Sequence, residues 1–365
     1  MTTADVIIVG GGIAGITAGA CLARDLSVLV LEGESRIGYH ATGRSAAILI
    51  RNYGNATLRA LNLASAPFLE APEHVSDASL LSPRGEMLVA GEEELADLTA
   101  YVEGSTGMEI LTGRQAQELV PILRAEAIVK AAIEWDAQDI DVDRMLSGYA
   151  RLLRRRGGVV ETDVTVREIR RESGHWTVTS DRGTYSSAIV INAAGAWAGV
   201  IGQMAGATEV PLAPLRRSAA ILPAPEAHDI SRWPLFAPAT EAWYAKPEAG
   251  KLLVSPADED PVEPHDAWAD DMVLAEGLDR FERAVDYTVT RVETSWAGLR
   301  TFAPDRSPVV GMDPAADGFF WLAGQGGYGV QTAPALSTLT SELILGGPTS
   351  LATGVVDALS PGRFS

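Results

Sequence analysis

The start of the chain has the hydrophobic pattern of a strand, a helix and a second strand. Residues 6–9 (VIIV) are a continuous apolar run, a glycine turn follows, and residues 13–24 are apolar and small as in a buried helix. Residues 27–31 (SVLVL) form the second run. Two fully buried strands joined by a helix make a βαβ unit, which predicts a parallel sheet covered on both faces.

Similar runs return later in the chain. A helical pattern at 145–156 precedes a short strand at 159–160, and further strands are predicted at 176–179 and 185–191. The run FFWLA at 319–323 is followed by a glycine loop and a helical pattern to about residue 345. The predicted nucleotide domain is therefore discontinuous.

Two intervening stretches, 81–144 and 206–299, hold most of the prolines and contain strand patterns such as LLV at 252–254. We interpret them as one substrate domain that is inserted twice. The predicted fold is α/β, with a Rossmann-like dinucleotide domain at 1–80, 145–205 and 300–365 and a second domain at 81–144 and 206–299.

Composition excludes several classes of function. The chain has 365 residues, 47% of them hydrophobic, and a formal net charge of −19, so a nucleic-acid partner is not expected. The basic run at 151–156 is interpreted as a solvated helix end. Cys21 is the single cysteine and the five histidines are scattered, so neither a disulfide nor a metal site is predicted.

One apolar segment is long enough to suggest a membrane span. Residues 6–23 carry no charge over 18 positions, but no Lys or Arg precedes them and glycines interrupt them. No transmembrane segment is therefore expected. The predicted location is cytoplasmic, either free or peripheral to the inner membrane.

The first glycine turn has the full context of a dinucleotide fingerprint. Residues 10–15 (GGGIAG) fit G-x-G-x-x-G after a strand and before a helix, and Glu32 ends the next strand 22 residues after Gly10. The glycines allow the backbone to approach a pyrophosphate, and the helix N-terminus offers free N–H groups. Glu32 is predicted to accept hydrogen bonds from the ribose hydroxyls.

Three later segments favour FAD over NAD. Residues 38–47 are small and polar, residues 191–197 end a strand in small residues, and residues 324–332 form a second glycine loop before a helix. Three such close backbone approaches suit an extended FAD better than the shorter cofactor.

These segments resemble the D-amino acid oxidase and dehydrogenase group of flavoproteins over nearly the whole chain, and most closely the bacterial D-arginine dehydrogenases. The resemblance is carried by GYHATGRSAA at 38–47, LLSPRGEM at 80–87, NAAGAW at 192–197, LRRSA at 215–219, YAKP at 244–247, WAGLR at 296–300 and GQGGYGVQT at 324–332. It implies a substrate domain built largely on an antiparallel sheet, with the flavin ring at the domain junction.

The fingerprint and the resemblance together imply a non-covalent FAD, because Cys21 in the first helix lies far from the expected position of the flavin ring. The predicted cofactor-binding residues are Gly10, Gly12, Ile13, Ala14, Gly15, Glu32, Gly33, Thr42, Gly43, Arg44, Ser45, Ala46, Ala47, Val166, Ala193, Gly195, Trp197, Gly326, Gly327, Tyr328, Gly329, Val330, Gln331 and Thr332.

The resemblance also implies a substrate site. Arg217 and Arg300 lie in segments that match the family's carboxylate-binding segments, and arginine holds a carboxylate through two parallel N–H bonds. Tyr53 and Tyr244 occupy matching positions and are predicted, with the two arginines, to be the catalytic residues. The predicted substrate-binding residues are Ile48, Glu86 and Gly327.

The expected reaction is oxidative deamination of a D-amino acid. Glu86 stands where a carboxylate meets a cationic substrate tail, whereas Ile48 replaces a histidine of the arginine-active relatives, so basic and hydrophobic substrates both stay open. The hydride of Cα passes to the flavin, and the imino acid is hydrolysed to a 2-oxo acid and ammonia. The electron acceptor, whether a quinone, O2 or another molecule, is left open.

Two alternatives remain at this point. One is a flavin oxidase of secondary amines such as sarcosine, or a 2-hydroxy acid dehydrogenase. The other is a non-catalytic flavin-binding subunit. Glu86 argues against the first, and the joint presence of Tyr53, Arg217, Tyr244 and Arg300 argues against the second, because a mere binder needs no carboxylate clamp.

Overall fold

The computed structural model describes residues 2–365. The α-helices are α1 (Ile13–Leu22), α2 (Ala56–Glu70), α3 (Leu95–Glu103), α4 (Gly113–Leu119), α5 (Val142–Arg155), α6 (Ala198–Met204), α7 (Asp271–Ala284), α8 (Gly329–Leu345) and α9 (Thr353–Leu359). Short 3-10 helices span Ala41–Arg44, Glu92–Glu94, Ala125–Ala127, Gly195–Trp197 and Pro361–Phe364.

The strands, in chain order, are β1 (Thr2–Thr3), β2 (Val6–Val9), β3 (Val28–Leu31), β4 (Ile48–Leu49), β5 (Leu81–Pro83), β6 (Glu86–Ala90), β7 (Glu109–Leu111), β8 (Lys130–Glu134), β9 (Gln138–Ile140), β10 (Val159–Glu161), β11 (Val166–Glu172), β12 (His175–Ser180), β13 (Thr184–Ser187), β14 (Ile189–Asn192), β15 (Ala213–Leu222), β16 (Leu235–Pro238), β17 (Tyr244–Glu248), β18 (Lys251–Ser255), β19 (Asp260–Pro261), β20 (Thr294–Phe302), β21 (Val309–Met312) and β22 (Phe319–Ala323).

A six-stranded sheet in the order β10-β3-β2-β14-β22-β21 forms the centre of the molecule. Its strands are parallel except for β21, which pairs with β22 in the antiparallel direction. Helices α1, α5 and α8 pack together on one face, where Ile16, Leu153 and Leu336 belong to one buried cluster. The predicted α/β fold with a parallel sheet is confirmed.

The opposite face of this sheet is covered mainly by a second sheet, together with the short helix α6. This sheet has the order β1-β13-β12-β11, and its Trp176 and Val178 pack against Ile7 and Leu29 of the central sheet. Each βαβ strand is therefore buried on both faces, as its uninterrupted apolar pattern predicts.

A nine-stranded sheet lies beside the nucleotide-type sheet. It runs β19-β15-β18-β17-β16-β6-β8-β7, with β20 also paired to β15. Its pairs are antiparallel except for β16 with β6. A separate three-stranded sheet has the order β4-β9-β5. Its strand β4 follows the 3-10 helix Ala41–Arg44, and its strands β5 and β9 adjoin β6 and β8 of the nine-stranded sheet in sequence. We propose that the nine-stranded sheet is the core of the substrate domain.

Two predicted elements have different bounds in the structure. The strand predicted at 185–191 is two strands, β13 and β14, which belong to different sheets. The hydroxyl of Ser187 donates to the carbonyl oxygen of Ile189 at 2.7 Å, a local bond that competes with the ladder. Helix α5 begins at Val142, three residues before the predicted start at 145, because the Asp141 side chain caps it by accepting from the Arg144 amide.

The division into two domains stays a proposal. The expected boundaries at 144/145 and 299/300 would fall inside α5 and β20. Within residues 2–365, no helix has the length and apolar character needed to cross a membrane.

Candidate active site

The glycine turn after β2 is built for close backbone contact. Gly10 has φ +111°, and a Cβ placed on it would lie 2.3 Å from the carbonyl oxygen of Ala193. A Cβ on Gly15 would lie 2.0 Å from the Gly10 carbonyl oxygen, so Gly15 lets α1 approach the turn. Only glycine fits both places, which is what a cradle for a pyrophosphate requires.

The N-terminus of α1 is open beside this turn. Gly12 is the N-cap and provides no side-chain cap, while the Ile13 amide donates to the Thr42 hydroxyl at 3.0 Å. Within residues 2–365, the amides of Ala14 and Gly15 donate to no protein acceptor. The partial positive charge of the helix end is thus available to an anionic ligand.

Glu32 closes the turn from the neighbouring strand. Its Oε2 accepts from the Gly11 amide at 2.6 Å and its Oε1 accepts from the Glu34 amide at 2.9 Å. Burial raises the pKa of the Glu32 carboxyl, and the two amides partly oppose that shift. A carboxylate oxygen can accept more than one hydrogen bond, so Glu32, which lines the adjacent cavity, can also accept from a ligand.

Three adjoining cavities run from Glu32 to Glu86. We call them the outer cavity, of about 350 Å³, the middle cavity, of about 150 Å³, and the inner cavity, of about 90 Å³. Gly12, Thr42 and Gly195 line both the outer and the middle cavity. Arg217 and Arg300 line both the middle and the inner cavity. The three form one groove that fits an extended dinucleotide ending at the inner cavity.

Most of the predicted cofactor residues line this groove. They are Gly10, Gly12, Ile13, Ala14, Glu32, Gly33, Thr42, Arg44, Ser45, Ala46, Ala47, Val166, Ala193, Gly195, Trp197, Gly326, Gly327, Gly329, Val330 and Gln331.

Four predicted cofactor residues do not line the groove. Gly15 and Gly43 pack against backbone, since a Cβ on Gly43 would lie 2.4 Å from the Gly38 carbonyl oxygen. Thr332 is fully buried and donates to the carbonyl oxygen of Tyr328 at 2.8 Å. Tyr328 lines a neighbouring cavity of about 300 Å³ on the far side of Tyr53. These four residues support the backbone of the segments whose other residues line the groove.

Arg44 lines the groove but its guanidinium is bound to protein. Nη1 donates to the carbonyl oxygens of Ala267 at 2.7 Å and Ala297 at 2.9 Å, and Nη2 pairs with Asp266. The indole of Trp296 donates to the Arg44 carbonyl oxygen at 3.0 Å. Arg44 therefore ties the 3-10 helix Ala41–Arg44 to the nine-stranded sheet.

All seven predicted catalytic and substrate-binding residues line the inner cavity: Ile48, Tyr53, Glu86, Arg217, Tyr244, Arg300 and Gly327. They come from β4, the turn after it, β6, β15, β17, β20 and the loop before α8. Apolar side chains of Ile50, Leu88, Leu235 and Val330 complete the wall. A small cavity with charged groups at fixed positions suits a small polar molecule.

The two arginines of the inner cavity differ in their partners. Arg217 donates from Nε to the Asp258 carbonyl oxygen at 2.8 Å and pairs through Nη2 with Glu259 at 2.9 Å. Arg300 lies against Gly327, where a Cβ would come within 2.8 Å of its Nη1. Within residues 2–365, Arg300 makes no side-chain hydrogen bond or ion pair. Within that part of the chain the guanidinium donors of Arg300 are free for a ligand, and nearby carboxylates such as Glu259 partly balance its charge.

Arg216, the neighbour of Arg217, faces away from this cavity. Its guanidinium pairs with Asp258 and Asp260, at 3.3 and 2.7 Å. Successive residues of a strand point to opposite faces of the sheet, so only one of the two arginines can line the cavity.

The tyrosines of the inner cavity have opposite pKa shifts. Burial raises the pKa of Tyr53 far above its usual value, and its hydroxyl donates to Glu241 Oε2 at 3.3 Å. Burial alone would also raise the pKa of Tyr244, but the guanidiniums of Arg300 and Arg217 outweigh burial and lower it. The Tyr53 hydroxyl therefore stays protonated and acts as a hydrogen-bond donor.

Glu86 is a carboxyl with few partners. Glu86 is 4% exposed to solvent, and the Tyr101 hydroxyl donates a hydrogen bond to its Oε2 at 3.1 Å. Burial, followed by the charges of Glu134 and Glu241, raises the pKa of Glu86 to about 8. The Tyr101 hydrogen bond partly opposes this rise.

Sequence reasoning missed several residues around the cavity. Glu241, in a left-handed conformation with φ +54°, lines the cavity and accepts from Tyr53. Tyr101 and Glu134 contact Glu86 or its strand from α3 and β8. No motif marks these positions, and only the pairing of distant strands brings them together.

The second glycine loop leads into α8, whose N-terminus also has no side-chain cap. Val330 and Gln331 of its first turn line the inner cavity, and the Gln331 side chain accepts from the Ile50 amide at 3.0 Å. The positive end of α8 thus points into the groove where the middle and inner cavities meet, a position that stabilises developing negative charge.

Replacement of Gly10 by alanine tests the cradle. The added Cβ would meet the Ala193 carbonyl in a backbone conformation that costs about 1–3 kcal/mol, so Gly10→Ala is expected to weaken FAD binding by roughly tenfold or more. The measurement is flavin absorbance per protein after purification, together with an FAD titration of the stripped protein. Gly354→Ala, in α9 with no atom within 4 Å of the added Cβ, is the control. Full FAD content in Gly10→Ala would contradict the cradle.

The chain is similar in sequence and fold to known FAD-dependent oxidoreductases. The family model described as DAO, FAD dependent oxidoreductase, matches residues 5–343. Glycine oxidase of Geobacillus kaustophilus is 26% identical over 360 residues, covering 93% of this chain and 92% of its own length. FAD-dependent oxidoreductase domain-containing protein 1 of Bos taurus is 26% identical over 396 residues, covering 94% and 81%. The crystal structure of the Geobacillus glycine oxidase superposes with a TM-score of 0.87 at 23% identity, covering 99% of this chain and 98% of that chain.

Proposed function

Because the chain belongs to the FAD dependent oxidoreductase family, we propose that it oxidises free D-amino acids at Cα, with basic side chains among its substrates. The observation that carries the proposal is the inner cavity. It combines Arg300, which has no hydrogen-bond or ion-pair partner among residues 2–365, with Glu86, which is buried and accepts from Tyr101. A ligand with an anionic end and a cationic or neutral tail satisfies both groups.

In this proposal Arg300 and Arg217 hold the substrate carboxylate. Guanidinium and carboxylate match in geometry, and hydrogen bonds between charged groups are roughly twice as strong as neutral ones. Tyr244 lies close enough to both arginines for their charges to lower its pKa. Its hydroxyl is placed to bind the same end of the substrate. Tyr53 closes the cavity toward Glu241.

The same arginines help the substrate amine lose its proton. A positive charge nearby disfavours the ammonium form, so binding beside two guanidiniums lowers the pKa of the amine. Only the neutral amine can assist the loss of hydride from Cα, and no side chain then has to act as a strong base. The protein contributes the orientation of the substrate and the electrostatic potential around its amine.

FAD supplies the hydride-accepting chemistry. The glycine cradle and the open N-termini of α1 and α8 are the parts of the chain that suit its pyrophosphate and the electron-rich edge of its ring. We propose that the cofactor is bound without a covalent link, since Cys21 lies in α1 and lines none of the three cavities. The overall reaction gives a 2-imino acid, which water hydrolyses to a 2-oxo acid and ammonia.

A small amine or glycine is a second candidate substrate. It is favoured by the relationship to a glycine oxidase and by the small volume of the inner cavity, about 90 Å³. Such a substrate adds no partner for Glu86 beyond the Tyr101 hydroxyl, which is costly whenever this buried carboxyl is ionised. The Glu86 environment therefore favours the amino acid with a longer tail.

Racemic arginine and racemic leucine distinguish these candidates. Incubation with the enzyme and an artificial electron acceptor is expected to consume the D-enantiomer of each, with one 2-oxo acid and one ammonia formed per molecule lost. Chiral chromatography and ammonia assay measure this. Consumption of the L-enantiomer, or turnover of sarcosine and glycine alone, would contradict the proposal.

A further inference from the structure

Two buried carboxyl residues face each other across β6 and β8. Glu86 and Glu134 are register partners in these antiparallel strands, and they are 4% and 2% exposed. Glu86 lines the inner cavity, whereas Glu134 does not. A buried carboxylate persists only if hydrogen bonds replace its lost hydration, so the partners of Glu134 show what it does.

Glu134 binds the turn between β4 and α2. Its Oε1 accepts from the Arg51 amide at 2.8 Å, and its Oε2 accepts from the Asn52 amide at 3.3 Å and from Asn52 Nδ2 at 2.6 Å. Three donors of two successive residues thus converge on one carboxylate. The Asn52 side chain also exchanges two 2.9 Å bonds with the backbone of Thr106.

This turn carries Tyr53 into the inner cavity. The Tyr53 ring packs edge-on against Tyr328, with centroids 5.2 Å apart, and its hydroxyl reaches Glu241. The turn residues Arg51 to Gly54 form no strand or helix of their own. Their placement therefore depends on contacts with side chains. The backbone amides of Arg51 and Asn52 both donate to the Glu134 carboxylate.

We propose that Glu134 is a positioning residue for the active site, whose carboxylate anchors the Arg51–Asn52 turn and thereby holds Tyr53 against the substrate. The part of this inference that concerns substrate rests on the proposed function. Hydrogen bonds from amides to a carboxylate are charge-assisted and stronger than those between neutral groups.

Amide hydrogen exchange tests the anchor without reference to activity. Glu134→Gln replaces one acceptor oxygen by an NH2 group that faces amide donors, so at least one bond to the turn is lost. Exchange in a peptide covering residues 50–55 should speed up by roughly tenfold or more, the scale of one such bond. Glu93→Gln, at an exposed position, is the matched control and should leave that peptide unchanged.

Kinetics at several pH values separate positioning from mere stability. The titratable and charged groups around Glu86 are Glu134 on β8, Tyr101 on α3, Glu241 before β17 and, elsewhere on the cavity wall, Arg217, Arg300, Tyr53 and Tyr244. Removal of the Glu134 charge lowers the pKa of Glu86, because that charge is the largest cause of its rise after burial. In Glu134→Gln, the kcat/KM ratio for D-Arg over D-Leu should therefore rise at lower pH than in wild type.

Asn52→Ala separates the two effects of Glu134 and serves if Glu134→Gln does not fold. It removes the 2.6 Å bond to Glu134 and the two bonds to Thr106 but keeps the Glu134 charge. It should therefore speed exchange at residues 50–55, lower kcat/KM for D-Leu roughly tenfold, and leave the pH dependence of the ratio in place. FAD content should stay normal in both variants.

Unchanged exchange in Glu134→Gln and Asn52→Ala would overturn the anchor. Faster exchange with an unaltered kcat/KM for D-Leu would overturn the positioning of Tyr53. If wild type oxidises no amino acid while exchange responds as expected, the proposed function fails and the anchoring of the turn is supported.

Discussion

Arg300→Met is expected to lower kcat/KM for D-amino acids by at least about 100-fold while FAD stays bound. Methionine keeps the unbranched stem of the side chain but removes both charge-assisted hydrogen bonds to the carboxylate, each worth about 1.5–3 kcal/mol. Arg300 has no protein partner within the described residues 2–365, so its donors are free for substrate. Steady-state kinetics with D-arginine and D-leucine, and the flavin content of the variant, are the measurements.

Two further arginine variants sharpen this test. Arg217→Met should cost less, roughly tenfold, because Glu259 and the Asp258 carbonyl already occupy donors of Arg217. Arg232→Met, at an exposed position, should behave as wild type. Near-normal turnover in Arg300→Met, or loss of its flavin, would contradict the assignment of the carboxylate clamp.

Glu86→Gln is expected to change substrate preference more than overall activity. If the ionised Glu86 pairs with the cationic tail, the ratio of kcat/KM for D-Arg over D-Leu, measured at pH 9, should fall by roughly tenfold or more, the scale of one charge-assisted bond. Leucine has no tail charge, so its kcat/KM should change little. Glu93→Gln is again the control for an exposed glutamate.

The raised pKa of Glu86 also predicts how the substrate preference changes with pH. With its pKa raised to about 8, Glu86 is mainly neutral below pH 8 and ionised above it. The D-Arg to D-Leu ratio in wild type should therefore rise between pH 7 and 9, since kcat/KM reports the free enzyme and the ratio cancels ionisation of the substrate amine. A flat ratio in wild type, or the same rise in Glu86→Gln, would leave Glu86 without a role in tail recognition.

The fold and the cofactor could be predicted because their signals are local. The apolar runs at 6–9 and 27–31, the glycines between them and Glu32 fix a βαβ unit and a dinucleotide turn by short-range rules. The family model over residues 5–343 and the shared fold bear out the α/β class and FAD. The assignment of individual residues to substrate and flavin, the D-amino acid preference and the resemblance to D-arginine dehydrogenases stay predictions.

What the sequence could not predict lies in contacts between distant segments. Strand alternation implies that Arg216 and Arg217 point to opposite faces, but only the positions of Asp258 and Glu259 show which of them enters the cavity. Glu134 is 82 residues from the turn that it anchors, and no spacing rule links the two. The chain also passes from one sheet to another between β13 and β14, which the apolar pattern of 185–191 does not reveal.

The central claim is most directly tested by anaerobic addition of substrates to the purified enzyme. D-arginine, D-lysine and D-leucine should each bleach the oxidised flavin absorbance in a single turnover, while their L-enantiomers, sarcosine, glycine and 2-hydroxy acids should leave it unchanged. Stopped-flow absorbance in the visible range gives rate and amplitude together. Bleaching by L-amino acids or by sarcosine, with none by any D-amino acid, would contradict the account.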